Sequence, residues 1–135
     1  MTFNEAVATY APAWVGIWIN FLLLGAIVLP LVLFFWKPTR LVALSAIVAG
    51  VVSVAGIMFL YSQLGYVKLL GLPHIIAWVP LAYLLWSKIK SAEVTTAPRV
   101  IMSVVLATIA VSLAFDVVDV ARYAAGERTA LAMPA

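Results

Sequence analysis

Four stretches of about 20 apolar residues, set apart by charged or turn-forming breaks, fill most of this chain, and that length matches the ~30 Å hydrocarbon core of a bilayer. Lipid offers no water to unpaired backbone groups, so each stretch must close its own hydrogen bonds as a helix. The expected fold is an all-α membrane protein whose four transmembrane helices cover about 14–36, 41–62, 67–86 and 99–123 within a single domain, 1–135. Composition agrees. Of 135 residues, 67% are hydrophobic and 10% charged, against about 25% charged in soluble domains, which leaves too few polar groups to coat a water-facing surface.

The chain contains no cysteine, which removes disulfides, thiolate metal sites and thiol nucleophiles from consideration. Its net charge of +3 does not point to nucleic acid, because most of the basic residues lie in the connections between spans. Lys37, Arg40, Lys88, Lys90 and Arg99 belong to the first and third loops, and Lys68, Arg122 and Arg128 to the opposite side. Five against three favours both termini outside the cytoplasm of a bacterial-type plasma membrane, with inverted or dual insertion as the alternatives. The segment before Trp14 has neither Lys nor Arg, unlike a secretory leader, so the first stretch is expected to be retained as a span. Tyr10, Trp14, Tyr61, Tyr66 and Tyr123 sit at one interface and Trp36 and Trp86 at the other, as aromatic anchors should.

Span two is rich in small residues: Ser45, Ala49 and Ser53 recur every fourth position beside Ala46, Gly50 and Gly56. Small side chains let helix backbones approach closely in lipid, so this span is expected to be the central packing helix. Span three has two candidate starts, near Val67 with an early kink or at Pro73, and the earlier gives a span of adequate length. Pro30 and Pro80 remove backbone donors inside spans one and three, freeing the carbonyls of Ala26 and Ile76 and bending both helices. The two prolines also belong to an internal echo: each begins a Pro-Leu pair followed by Trp (Trp36, Trp86) and then a basic loop. Duplication of a hairpin would make the fold two parallel repeats; chance likeness between hydrophobic hairpins is the plainer account. The tail after Gly126 is expected to be mobile.

Antiparallel neighbours bring the start of the odd spans level with the end of the even ones. Asn20 and His74 lie about seven residues inside their spans, roughly 10 Å, and share a depth with Asp116, Asp119 and Arg122. On a helix Thr108, Ser112, Asp116, Asp119 and Tyr123 fall within about 80° of one another, with Arg122 at the margin. Such a stripe avoids lipid, because a charge near the bilayer centre costs from ~3 kcal/mol upward. Structural explanations compete with functional ones: Asp119 and Arg122 can pair along the helix, Lys68 can neutralise Asp116, and Thr108 and Ser112 can bond to the preceding turn.

Three functions fit this pattern. The first is a small homo-oligomeric channel or transporter for cations or protons, whose pathway uses His74, Asp116, Asp119, Arg122, Asn20, Thr108, Ser112 and Tyr123 near the extracytoplasmic side. The second is an accessory or assembly subunit whose polar stripe docks on a partner membrane protein. The third is a membrane enzyme or sensor in which His74, Asp116 and Asp119 form an acid–base site or hold a divalent metal; no other cofactor is expected.

Overall fold

The computed structural model describes residues 2–131, and every regular element among them is helical. A short helix that the hydropathy pattern did not announce comes first: α1, Phe3–Tyr10. Thr2 starts it through a capping box, the Glu5 N–H donating to Thr2 Oγ1 (3.2 Å) while the Thr2 N–H donates to Glu5 Oε2 (2.7 Å). That Thr2 N–H holds the Glu5 carboxyl below its usual range. Pro12 then prevents α1 from running on into the first span.

Four apolar segments are long enough to cross a membrane: Ala13–Phe35, Lys37–Leu64, Lys68–Ile89 and Thr96–Ala124. Only 22–33% of each one's most apolar window is buried. Exposed apolar surface of that extent is untenable in water and natural against acyl chains. The four helices therefore fit an integral membrane protein, as their spacing in the sequence implied.

Span one departs from ideal helix. It is α-helical over Ala13–Leu22 (α2), widens to a π turn at Leu23–Val28, and tightens to 3-10 over Leu29–Phe35. Pro30 accounts for the change, since its ring crowds the carbonyl four residues back and it has no N–H to return. The freed end is recapped: the Thr39 hydroxyl donates to Leu33 O (2.8 Å) and Arg40 Nε donates to Phe34 O (3.0 Å). Span two begins with a 3-10 turn, Lys37–Thr39, and continues as α3, Arg40–Leu64. It stops at Gly65, whose φ of 78° suits a residue without a side chain.

Span three combines both of its candidate starts. A 3-10 turn, Lys68–Gly71, leads into α4, Leu72–Ile89, with Pro73 in the first α turn where its missing donor costs nothing. Unlike span one, α4 stays α-helical on both sides of Pro80, which is exposed, whereas Pro30 is buried. The two members of the Pro-Leu-Trp echo thus sit in different backbone. Span four is α5, Thr96–Ala124, and the Arg99 guanidinium fastens the loop before it by donating to Ser91 O (3.0 Å) and Val94 O (2.7 Å).

The spans pack in a ring, one against two, two against three, three against four and four against one. Span two is no hub: α4 makes its broadest contact with α5, because in a ring every helix has two neighbours. The small residues of span two do face inward at Ala46, Ala49, Gly50 and Ser53, with Ser45 only half-buried. Leu33, Leu85, Met102, Val105 and Ile109 fill the centre at 0% exposure. A second apolar cluster caps one end, where Phe3 of α1 meets Tyr61 (5.7 Å between ring centroids) and Tyr66 (6.2 Å). Of the segment after Gly126, expected to be loose, residues 127–131 fold back and the Leu131 N–H donates to Tyr66 O (2.9 Å), while 132–135 lie outside the described residues. Its returning backbone satisfies a loop carbonyl that would otherwise need water.

Candidate functional site

Between the start of α4 and the end of α5 the chain brings two ionisable groups together inside the bundle. His74 lies in the first turn of α4, and its Nδ1 is 3.2 Å from Asp116 Oδ2 on α5, with side-chain exposures of 20% and 14%. Nδ1 itself is sealed from solvent and does not meet hydrogen-bond geometry toward the carboxylate. The contact is therefore one of charge proximity rather than a directed bond. Trp78, one turn along α4, lies parallel to the imidazole at 4.4 Å and fixes the plane of the ring. The Ser112 hydroxyl donates to the same Oδ2 at a long 3.5 Å.

Gly71 makes this approach feasible. A Cβ there would lie 3.0 Å from Asp116 Oδ1 and 3.1 Å from both Cα and Cβ of that residue, so the 3-10 turn can ride against α5 only without a side chain.

Both groups line a cleft of about 750 Å³ enclosed by α1, α2, the turn before α4, the end of α5 and the returning tail. Asp119, half-buried one turn beyond Asp116, lines it too, as do Tyr66, Lys68, Arg122 and Glu127. The expected neutralisations are redirected. Arg122 Nε meets Glu127 Oε2 at 3.0 Å and Oε1 at 3.1 Å, and Lys68 Nζ lies 3.8 Å from Glu127 Oε2. The folded-back tail supplies this carboxylate, so Arg122 need not turn to Asp119 nor Lys68 to Asp116. With His74 neutral, the cleft's two cations and three carboxylates leave one net negative charge; a proton on His74 cancels it.

No family model, curated protein or solved structure matches this chain. The site is therefore read from its own chemistry.

The other sequence-derived candidates fall into different places. Thr108 is buried against Gly25 of span one and donates to Val104 O (2.9 Å), the back-bond of a membrane helix. Asn20 is exposed on α2 and does not line the cleft. Tyr123 packs against the apolar cap, with the Arg128 guanidinium 5.3 Å from its ring, and also lies outside the cleft lining. Among the described residues no three His, Asp or Glu side chains gather closely enough to hold a metal ion. The metal set read from His74, Asp116 and Asp119 is not assembled, because His74 meets α5 at Asp116 and Asp119 is about 4.5 Å farther along the helix. Sequence reasoning missed the aromatic wall that α1 and α2 present, Tyr10 and Trp14, and its partner Phe115, 5.8 Å from Trp14 between centroids. The Thr2-to-Glu5 spacing was the one available signal that α1 would fold.

Tyr66 offers a handle on the cap. Burial, and then the negative charge of Asp119, push its phenol above the usual range. Below that range the phenol is protonated in both states and its contribution is intact. As pH rises past the unfolded value of about 10, the unfolded chain ionises first and stability falls until the folded group ionises as well. Thermal melts in detergent are expected to show wild type losing more stability than Tyr66→Phe across this alkaline window; parallel pH profiles would refute the assignment.

Proposed function

We propose that the chain acts as a small homo-oligomeric membrane transporter for protons or other cations, with His74 and Asp116 as its binding couple. One observation carries this reading: a titratable imidazole held 3.2 Å from a carboxylate, within a cleft that has one net negative charge when the imidazole is neutral. A partly buried carboxylate without a full counter-charge is costly, and a proton or cation arriving there removes that cost. Transport fits better than an open channel, because Leu33, Leu85, Met102 and Val105 fill the centre of the bundle beyond Ser112. Passage then needs a rearrangement or a path between copies, and a thin four-helix wall favours oligomers. The excess of basic residues in the first and third loops supports an extracytoplasmic cleft in a bacterial-type plasma membrane.

Flux of protons and monovalent cations in proteoliposomes tests the reading. Wild type is expected to dissipate an imposed gradient, and Asp116→Asn, checked for unchanged helical content, is expected to fall to the background of empty liposomes. Equal silence of the two proteins overturns it.

A second reading, an accessory subunit of a larger membrane complex, draws on an outward groove of about 410 Å³ between α3 and α4, lined by Ser45, Ala49, Ala77 and Pro80 among others. Close helix approach is favoured along such a surface. A foreign protein retained in fixed stoichiometry through purification in mild detergent supports this reading; a closed homo-oligomer supports transport.

A further inference from the structure

We propose that the cleft beside His74 and Asp116 binds a hydrophobic organic cation, which deepens the transport reading by naming its substrate class. At about 750 Å³ the space far exceeds what a proton or bare metal ion requires and lies within the ~300–1,000 Å³ range of small-molecule pockets. Its walls and its charged groups are chemically distinct. Tyr10 and Trp14 of α1 and α2 form an aromatic side continued by aliphatic Ile19 and Ile57, while α5 contributes Phe115 and, beside it, Asp116 and Asp119.

The charge distribution selects the sign of the ligand. Glu127 engages both Lys68 and Arg122, which also attract Asp119 at longer range, while Asp116 is left with His74. A neutral lipophile would bury Asp116 further without compensation. An anion would add repulsion. A cation with apolar substituents answers both features, its charge near the carboxylates and its substituents against aromatic faces that themselves attract positive charge. Trp14 and Phe115, 53% and 50% exposed, are the part of the lining that a ligand would share with acyl chains.

Tetraphenylphosphonium and tetraphenylborate are near-identical in shape and opposite in charge, and together they test the inference on the purified full chain in detergent. Titration followed by tryptophan fluorescence and calorimetry is expected to show saturable binding of the phosphonium and only non-saturating partition of the borate. Asp116→Asn and Asp119→Asn are each expected to weaken phosphonium binding about tenfold to a hundredfold, the cost of removing one member of a desolvated charge pair. Should either carboxylate variant misfold, Trp14→Ala, at an exposed position, is expected to weaken binding severalfold, and Glu93→Gln in the opposite loop to leave it unchanged. Equal binding of the two probes, no binding of the phosphonium at millimolar concentration, or folded variants that bind like wild type would each overturn the inference. Because binding is read without a membrane gradient, its outcome separates from that of the flux assay. Saturable binding without flux removes only the transport reading, and proton flux without phosphonium binding removes only this one.

Discussion

Leu85→Ala is expected to lower the free energy of unfolding in detergent by about 2–3 kcal/mol, the lower half of the ~2–5 kcal/mol seen for such truncations in water-soluble cores. The discount has a physical reason. In a soluble protein the lost side chain forfeits both transfer out of water and packing, but a membrane helix is already in an apolar medium before it associates, so mainly the packing part remains. Leu85 is 0% exposed within the core shared by all four spans, where no acyl chain can reach the void. Phe35→Ala is the matched control: at 81% exposure it faces outward, and its truncation is expected to stay within about 0.5 kcal/mol. Reversible unfolding in mixed micelles measures both. Equal losses at the two positions would contradict the ring packing, because they would mean that burial inside the bundle confers no more than contact with lipid or detergent.

Gly71→Val is expected to cost a further class of energy, about 1–3 kcal/mol of overpacking, and to disturb the cleft as well. Even a methyl group at Gly71 would press on the Asp116 backbone at 3.1 Å. The helix of α5 cannot yield locally, so the turn Lys68–Gly71 must lift away. Lifting it separates His74 from Asp116 and draws Lys68 from Glu127. The substitution should therefore lower stability and uncouple the two faces of the cleft together, whereas Asp116→Asn removes the charge and leaves the packing. Double-electron resonance between spin labels on α4 and α5, read with the unfolding midpoint, distinguishes the two effects. A Gly71→Val protein with unchanged separation and stability would show that the turn does not pack as described.

The four spans were legible in the sequence because hydrophobic length is a property of the chain alone, and their boundaries shifted by only a few residues, as where α4 runs on to Ile89. Pro98 illustrates the shift: one residue before the start at 99 expected for span four, it lies inside the first turn of α5, where a proline is tolerated. The depth shared by His74 and Asp116 followed from antiparallel topology, but their contact depends on the azimuth of α4 about its own axis. Periodicity fixes that angle on one helix and not between two. The direct ion pairs differ from the local pairings for a similar reason, although Lys68 and Arg122 still attract Asp119 at longer range. Asp119 with Arg122 was the local choice, and Glu127 won because a tail folds back through Leu131 and Tyr66, a long-range event without a sequence motif. Asn20 shows the converse, since equal depth placed it with the cluster while its position on α2 turns it outward.

The apolar seal at the centre of the bundle has an electrical consequence. Leu33, Leu85, Met102 and Val105 leave no column of water along which charge could hop, so a lone bundle is an insulator whatever its cleft holds. Any current through a single bundle would be counted per structural cycle, on the microsecond-to-second clock of helix motion, rather than per diffusive encounter. Planar-bilayer recordings would then stay flat, without unitary steps, while slow accumulation of solute proceeds.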